Sequence, residues 1–336
     1  MAVLSAGAEL VATNPTGARV RGVTGPAGSG KSFALTARAA RLAAEGRDVL
    51  VLCFNLTLAA RLDALAAERC ADIGADPARI TCTSFHTFCS RVIDDALAAG
   101  FQPDDAVRGT WPQRTLARTN DVFEQGFERA YDAVLVDEGQ DFTLEWWNLL
   151  RRHVVRPGGE MLLVSDPMVD LGGKDTWSDP EVRAAAGFDG AWIEMPNSYR
   201  MGPALVGPLN EFAQTHLDEV AMLPQVPDDQ TAVVGRVAPA VRTWRNIDRV
   251  ADLGVEIGRQ VVRLLREHPT LSPADIVFLC EYHHDGLAAA EVIEDAGFPT
   301  HHVYSRDPDA RVARKANFRP TDAAVKGCTV HSFKGW

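Results

Sequence analysis

The chain has 336 residues, 46% of them apolar and 24% charged, which is an ordinary globular mixture and excludes wholesale disorder. Its 34 basic and 45 acidic side chains give a net charge of −11, which excludes a polycation that coats nucleic acid indiscriminately but not a locally basic groove. The six cysteines form no C-x-x-C pair, which argues against a disulfide scaffold or zinc ribbon. With no apolar run near the roughly 20 residues that span a bilayer and no signal-peptide pattern, we expect a cytoplasmic protein that needs no membrane partner.

Short apolar runs alternate with helical segments along the first half of the chain. Several runs are continuously apolar and bounded by charge or glycine, as in strands that helices cover on both faces. The predicted elements are strand 19–23, helix 32–45, strand 49–54, helix 57–69, and strands 80–84, 133–136 and 161–164. This alternation predicts a doubly wound α/β domain over roughly the first 190 residues.

A second strand-and-helix series follows after several prolines. Its predicted elements are strand 231–237, helix 247–267, strand 276–280, helix 286–296, strand 300–304 and a closing segment 325–331. The sequence therefore predicts two α/β units in series. We expect domain 1 at residues 1–194, with a small accessory insertion at about 93–130, and domain 2 at residues 195–336.

A glycine-rich turn stands between the first predicted strand and the first predicted helix. It fits the pattern G-x-x-x-x-G-K-[ST] in full, and in this context its N–H groups cradle phosphate oxygens at the positive end of the helix. Lys31 is expected to reach the β- and γ-phosphates, and Ser32 to bind Mg²⁺. A chance glycine-rich turn is the alternative. The residues that the motif assigns to nucleotide binding are Gly25, Pro26, Ala27, Gly28, Ser29, Gly30, Lys31 and Ser32.

The predicted strand before residue 137 ends in a cluster of acids, D-E-G-Q-D. Asp137 at the strand tip can hold Mg²⁺ together with Ser32, and Glu138 is placed to orient and deprotonate an attacking water. Gln140 is expected near the γ-phosphate. A solvated acidic helix cap is the alternative. Beside the phosphate loop, the acids favour a hydrolase over a kinase.

These two motifs, together with four others in the same order, resemble the UvrD/Rep-like superfamily 1 DNA helicases. The four are VLVLCFNLTLAARL at 49–62, TSFHTF at 83–88, NSYRM at 197–201 and VKGCTVHSFKG at 325–335. The resemblance extends over nearly the whole chain. It implies two tandem RecA-like P-loop domains with parallel sheets, ATP and Mg²⁺ as cofactors, and single-stranded or partly duplex DNA as partner. It also implies ATP-driven stepping, typically 3′ to 5′.

The resemblance further implies roles for individual residues. Tyr199 would stack on the adenine, and Arg200 would reach the γ-phosphate from the second domain. A helix-start tyrosine and a surface cation are the alternative for this pair. Trp177 is expected to replace an aromatic residue that stacks on a base. The other positions matched to DNA contact are Phe54, Asn55, Phe85, His86 and His331. Aromatic faces stack on bases of any identity, and polar groups at strand ends bind phosphates. For Phe54 and Phe85, a core position is the alternative.

The sequence departs from the family pattern in several places. No glutamine occurs before Gln102, although the family usually reads adenine with one upstream of the phosphate loop. Ser165 replaces a glycine, and Val169 replaces a glutamine that links the γ-phosphate to DNA. No large inserted subdomain is expected, and the chain stops at Trp336 inside the late motif that holds Lys334. We therefore expect a shortened member, incomplete at the end of its second domain.

Three functions remain open at this stage. The first is an ATP-dependent DNA translocase or helicase core. The second is a truncated or regulatory module that binds ATP and single-stranded DNA without productive unwinding. The third is a small-molecule P-loop kinase, in which the T-S-F-H, D-E-x-Q-D and S-Y-R elements have no role.

Overall fold

The computed structural model describes residues 5–104, 106, 108–166, 177, 179–188, 190–216, 222–227, 249–318 and 322–333. The chain divides into two compact units, Met1–Phe54 with Leu62–Val241 and Asn55–Arg61 with Arg242–Trp336. The predicted strand 231–237 and the motif residues Val169 and Lys334 lie outside the described residues. The predicted domain division after residue 194 stays a prediction.

A six-strand parallel sheet forms the centre of the first unit, with the strand order β3-β2-β4-β5-β1-β6. The strands are β1 (Val20–Thr24), β2 (Val49–Cys53), β3 (Ile80–Ser84), β4 (Tyr131–Val136), β5 (Val155–Ser165) and β6 (Ile193–Glu194). The helices are α1 (Ala6–Thr13), α2 (Lys31–Ala44), α3 (Leu56–Ile73, whose first residues count with the second unit), α4 (Phe85–Ala98), α5 (Trp111–Glu124), α6 (Leu144–Leu149), α7 (Pro180–Ala186) and α8 (Pro203–His216).

The middle strands of this sheet are covered on both faces. Every residue of β2 is buried, and so are the last four residues of β4 and the last six of β5. This explains why their sequences are continuous apolar runs and not alternating ones. Because all the strands are parallel, their carboxyl ends meet at one edge of the sheet, where loops can gather side chains from distant parts of the sequence.

A buried ionic cluster connects α1 and α2 with strands β1 and β5 of the sheet. Glu160 on β5 accepts hydrogen bonds from Arg21 on β1 and from Arg38 on α2, with the closest N–O distance 2.6 Å in each pair. The two guanidinium groups also donate to the carbonyl oxygens of Val11 and Ala12 near the end of α1. Each of the three charged side chains is at least nine-tenths buried, so their mutual pairing offsets the cost of taking the charges out of water.

The second unit contains a three-strand parallel sheet with the order β7-β9-β8. Its strands are β7 (Val277–Cys280), β8 (Thr300–His302) and β9 (Val325–Thr329), and its helices are α9 (Leu253–Glu267), α10 (His283–Asp295), α11 (Pro308–Asn317) and α12 (Val330–Phe333). The predicted closing segment 325–331 is therefore only partly extended, because α12 begins at Val330. Helix α9 packs on α10 above a core that includes Phe278 and Tyr304.

The predicted α/β class with parallel sheets is confirmed in both units. The strands predicted at 49–54, 80–84 and 276–280 are present with boundaries within one residue. Among the described helices, none is long and apolar enough to cross a membrane.

Candidate functional site

The carboxyl edge of the first sheet gathers the two strongest motifs of the sequence. The glycine-rich loop follows β1 and leads into α2, and the acidic cluster follows β4. In the sheet β5 lies between these two strands, yet the hydroxyl of Ser32 donates a 2.7 Å hydrogen bond to Oδ2 of Asp137. Ser32 and Asp137 stand 105 positions apart in the sequence, yet they are in direct contact. The glycine-rich loop and the acidic cluster therefore form one site.

The loop has the backbone conformation that phosphate binding requires. Gly28 and Gly30 adopt positive φ values of 80° and 90°, a region that residues with a Cβ rarely enter. The Nζ of Lys31 donates to the carbonyl oxygens of Gly25 (2.6 Å) and Pro26 (2.9 Å), so the ammonium is folded back over the loop. It also lies 3.8 Å from Oδ2 of the buried Asp166 after β5. A buried ammonium in this place suits a phosphate ligand.

A chain of hydrogen bonds orders the acidic side chains. Asp137 is fully buried, and its Oδ1 accepts the backbone N–H of Glu138. Glu138 has a left-handed backbone with φ 54°, an uncommon conformation for a glutamate, which sets the direction of its carboxylate. Gln140 donates to Oε2 of Glu138 (2.5 Å), while its Oε1 accepts the backbone N–H of Asp166 (2.9 Å). The Gln140 amide thus joins the acidic cluster to the end of β5.

The S-Y-R segment packs directly against the phosphate loop, within the first compact unit. The N–H of Tyr199 donates to the carbonyl of Gly28, and the hydroxyl of Ser198 donates to that of Ala27, both at 2.9 Å. A Cβ on Gly28 would lie 2.5 Å from Cβ of Arg200, so only glycine allows this approach. Burial among protein atoms lowers the pKa of Arg200, and the negative charge of Glu138 acts in the opposite direction.

A small pocket of about 70 Å³ adjoins the loop on the Tyr199 side. Its lining includes Tyr199, Asn197 and Ser29, together with Ser5 at the start of α1. The hydroxyl of Ser29 is buried and has no hydrogen-bond partner among the described residues. An unpaired buried polar atom is costly unless a ligand satisfies it.

The residues of this region fit a nucleoside triphosphate with Mg²⁺. The positive-φ glycines, the Lys31 ammonium and the unpaired Ser29 hydroxyl suit phosphate oxygens. The hydroxyl of Ser32 and the carboxylate of Asp137 are oxygen donors of the kind that Mg²⁺ prefers.

Two of the residues matched to DNA contact lie together on the surface beyond β2 and β3. Phe54 directly follows β2 and is 45% exposed, and its ring lies 5.8 Å from the ring of His86 near the start of α4. Trp146 packs against both rings from α6. Burial lowers the pKa of His86, because it disfavours the charged imidazolium. Their contact with DNA stays a prediction.

Two other predicted base contacts need correction. Phe85 is only 1% exposed, because Trp146 stacks on one face of its ring at a centroid distance of 4.5 Å and Phe142 meets it edge-on. Trp177 is 2% exposed and packs against Trp147, and its indole N–H donates to the carbonyl of Gly139. Neither ring presents a face to a base, so both are core residues.

In the second unit, the side-chain amide of Asn55 contacts the backbone of His331. The Nδ2 of Asn55 donates to the carbonyl oxygens of His331 (3.1 Å) and Ser332 (3.0 Å), and Thr57 also donates to the latter. The Asn55 side chain therefore holds the start of α3 to α12. The side chain of His331 is exposed, and its contact with DNA stays a prediction.

Two residues of the site were missed as functional candidates. Asp166 approaches Lys31 and binds Gln140 through its backbone, and Ser198 anchors the S-Y-R segment to the loop. Ser198 precedes Tyr199 in the N-S-Y-R-M motif, and Asp166 follows Ser165, the residue that departs from the family pattern. Asp166 directly follows β5, and Ser198 lies in the loop after β6. A position after the carboxyl end of a parallel strand is the signal that could have identified them.

The first half of the chain is similar to a known domain family. Residues 7–169 match a family model described as an AAA domain. No curated protein sequence matches the chain significantly. The chain is similar to a solved structure that concerns DNA unwinding at forked double-stranded DNA by two coordinating Pif1 helicases, with 14% identity and a TM-score of 0.33. That similarity covers 62% of this chain and 48% of the other, so the chain spans about half the length of that helicase chain.

Proposed function

We propose that this chain is an ATP-hydrolysing motor of the superfamily 1 helicase type, which moves along single-stranded DNA. One observation carries the proposal: the 2.7 Å hydrogen bond from Ser32 to Asp137, with Glu138 next in sequence. It unites a phosphate loop with an acidic strand end, the combination that P-loop hydrolases use. The AAA-domain match of residues 7–169 supports nucleotide binding.

The chemistry assigns one task to each residue of the site. Lys31 and the loop N–H groups bind the β- and γ-phosphates, and Ser32 with Asp137 would hold Mg²⁺, which neutralises phosphate charge when bound. Glu138 orients a water and accepts its proton. Arg200 then faces the negative charge that develops on the γ-phosphate.

Gln140 and Tyr199 complete the proposed site. Gln140 holds the Glu138 carboxylate and the backbone of Asp166 at once, so it can relay a change at the phosphate to the end of β5. Tyr199 lines the small pocket beside the loop, where its ring would stack on adenine.

The DNA part of the proposal rests on Phe54 and His86 in the first unit and on Asn55 and His331 in the second. The UvrD/Rep-like subgroup, the 3′-to-5′ direction, the division into domains at residue 194 and a cytoplasmic location belong to the same proposal. Phe85 and Trp177 are no longer part of it, because both rings are buried.

Steady-state ATP hydrolysis by the 336-residue chain, with and without single-stranded DNA at low salt, tests the proposal, since phosphate contacts weaken steeply as salt rises. Strong stimulation by DNA is expected. Absence of turnover while an ATP analogue still binds would contradict the motor function and favour a nucleotide- and DNA-binding module without unwinding.

A further inference from the structure

An exposed tryptophan outside all the motifs adjoins the aromatic pair Phe54 and His86. Trp111 is the first residue of α5 and is 53% exposed. Its ring centroid lies 5.5 Å from that of His86, which in turn lies 5.8 Å from that of Phe54. Three rings from three distant parts of the sequence therefore form one surface, here called the aromatic row: Phe54, His86 and Trp111.

The position of Trp111 is fixed by the start of its helix. The preceding Thr110 is the N-cap, and its backbone N–H and hydroxyl both donate to Oε1 of Gln113. Pro112 adds a restricted backbone to the first turn. Because the backbone at Trp111 is already ordered, little conformational entropy is lost when a ligand immobilises the exposed ring.

The surroundings of the aromatic row suit a single strand of nucleic acid. Arg114 lies one helical turn after Trp111 and is exposed. Its Nη1 donates to the carbonyl of Gly109, and its other N–H groups can bind a phosphate beside a stacked base. Phe54 and His86 follow β2 and β3 at the same sheet edge at which Asp137 follows β4. Exposed aromatic faces interleaved with a cation are the pattern of sequence-tolerant strand binding.

We infer that Trp111 is a base-stacking residue that extends the strand-binding surface of Phe54 and His86 into the segment between α4 and β4. The inference deepens the proposed function and rests on it. It assigns a binding role to the short accessory segment, which the motifs leave without one. Bases would stack on the free face of Trp111 irrespective of identity, and Arg114 would contact the adjoining phosphate.

The affinity for a fluorescent oligo-dT, measured by anisotropy at low salt, tests this role. Trp111→Ala should weaken binding about tenfold, and Trp111→Phe should restore most of the affinity because an aromatic face remains. Phe212→Ala is the matched control, since Phe212 is an aromatic residue of α8 that is 58% exposed and lies outside the aromatic row. Its affinity should equal that of the wild-type chain.

Photocrosslinking of the wild-type chain to an oligonucleotide containing 5-iodouracil gives a readout that does not depend on how the variants fold. An adduct on the peptide that contains Trp111 is expected. Wild-type binding with neither an adduct on that peptide nor a loss in Trp111→Ala would overturn the inference and leave the proposed motor intact. A wild-type chain that binds no oligo-dT would overturn both.

Discussion

The two parallel sheets end in different ways at their carboxyl edges. In the first unit, the loops after β1 and β4 bring a folded-back lysine, an unpaired serine hydroxyl and two carboxylates to one place. In the second unit, β9 ends at Thr329, whose hydroxyl donates to the hydroxyl of Ser332 in α12 and accepts the backbone N–H of the same residue. The burial of the strands differs as well, because every residue of β2 is buried whereas β7 alternates between exposed and buried residues. The side chains of the candidate site nevertheless come from the loops that follow the strands of the first sheet.

The largest expected effect comes from removing the ammonium of the phosphate loop. Lys31→Ala should abolish ATP turnover, because no other described side chain of the loop supplies a positive charge to the phosphates. Equilibrium binding of a fluorescent ATP analogue and steady-state hydrolysis measure the effect. Lys326→Ala is a matched control: its ammonium is also buried, in the second sheet, where it donates to the carbonyl of Ala274. Normal hydrolysis in the Lys31 variant would place the active site elsewhere.

Glu138→Gln should separate binding from chemistry at the same sheet edge. The amide is isosteric but cannot accept a proton, so hydrolysis should fall by about 100- to 10,000-fold while Mg-ATP still binds. Single-turnover hydrolysis and analogue affinity are the two measurements. Asp141→Asn offers the matched change three residues away and should have a much smaller effect. If turnover in Glu138→Gln equals that of the wild-type chain, Glu138 is not the base.

The buried cluster at Glu160 should matter more for stability than any surface pair. Glu160→Ala leaves Arg21 and Arg38 buried without their carboxylate, which should cost about 3–5 kcal/mol of unfolding free energy. Glu9→Ala removes an exposed partner of Arg41 and should cost about 1 kcal/mol or less. Chemical denaturation measures both changes. Equal costs would contradict the view that burial sets the value of these ion pairs.

The same cluster predicts how stability depends on pH. Burial alone would raise the pKa of Glu160, but hydrogen bonds and charges of Arg38 and Arg21 outweigh it and hold the pKa below its ordinary value. A glutamate whose pKa is lowered by folding stabilises the protein above its unfolded-state pKa of about 4.3, and this stabilisation is lost as the pH falls through the folded value. Denaturation midpoints from pH 7 to pH 3 should therefore fall less steeply in Glu160→Ala than in the wild-type chain.

The smallest effect is expected in the second sheet, where a hydroxyl joins two strands. The Oη of the buried Tyr304 accepts the N–H of Cys280 on β7 and donates to the carbonyl of Cys328 on β9. Tyr304→Phe should cost about 1–3 kcal/mol, because it removes both of these buried hydrogen bonds. Hydrogen exchange should accelerate in peptides 277–280 and 325–329 and stay unchanged in 131–136. Tyr282→Phe, at a site 55% exposed, should change neither region.

The sequence by itself determined the α/β class, most strands and the composition of the nucleotide site. These features depend on short local patterns: a continuous apolar run predicts a strand covered on both faces, and a glycine-rich loop before a helix predicts a phosphate cradle. The pairing of Ser32 with Asp137 was also predictable, because parallel strands bring their carboxyl ends to one edge.

Only the tertiary structure decided which aromatic side chains reach the surface. Phe85 and Trp177 fit a base-stacking pattern in sequence, yet Trp146 and Trp147 from α6 cover them. Trp111 belongs to no motif, yet it stands exposed against His86. The physical reason is that the exposure of a ring depends on the segments that pack over it, and these lie tens of residues away in the chain.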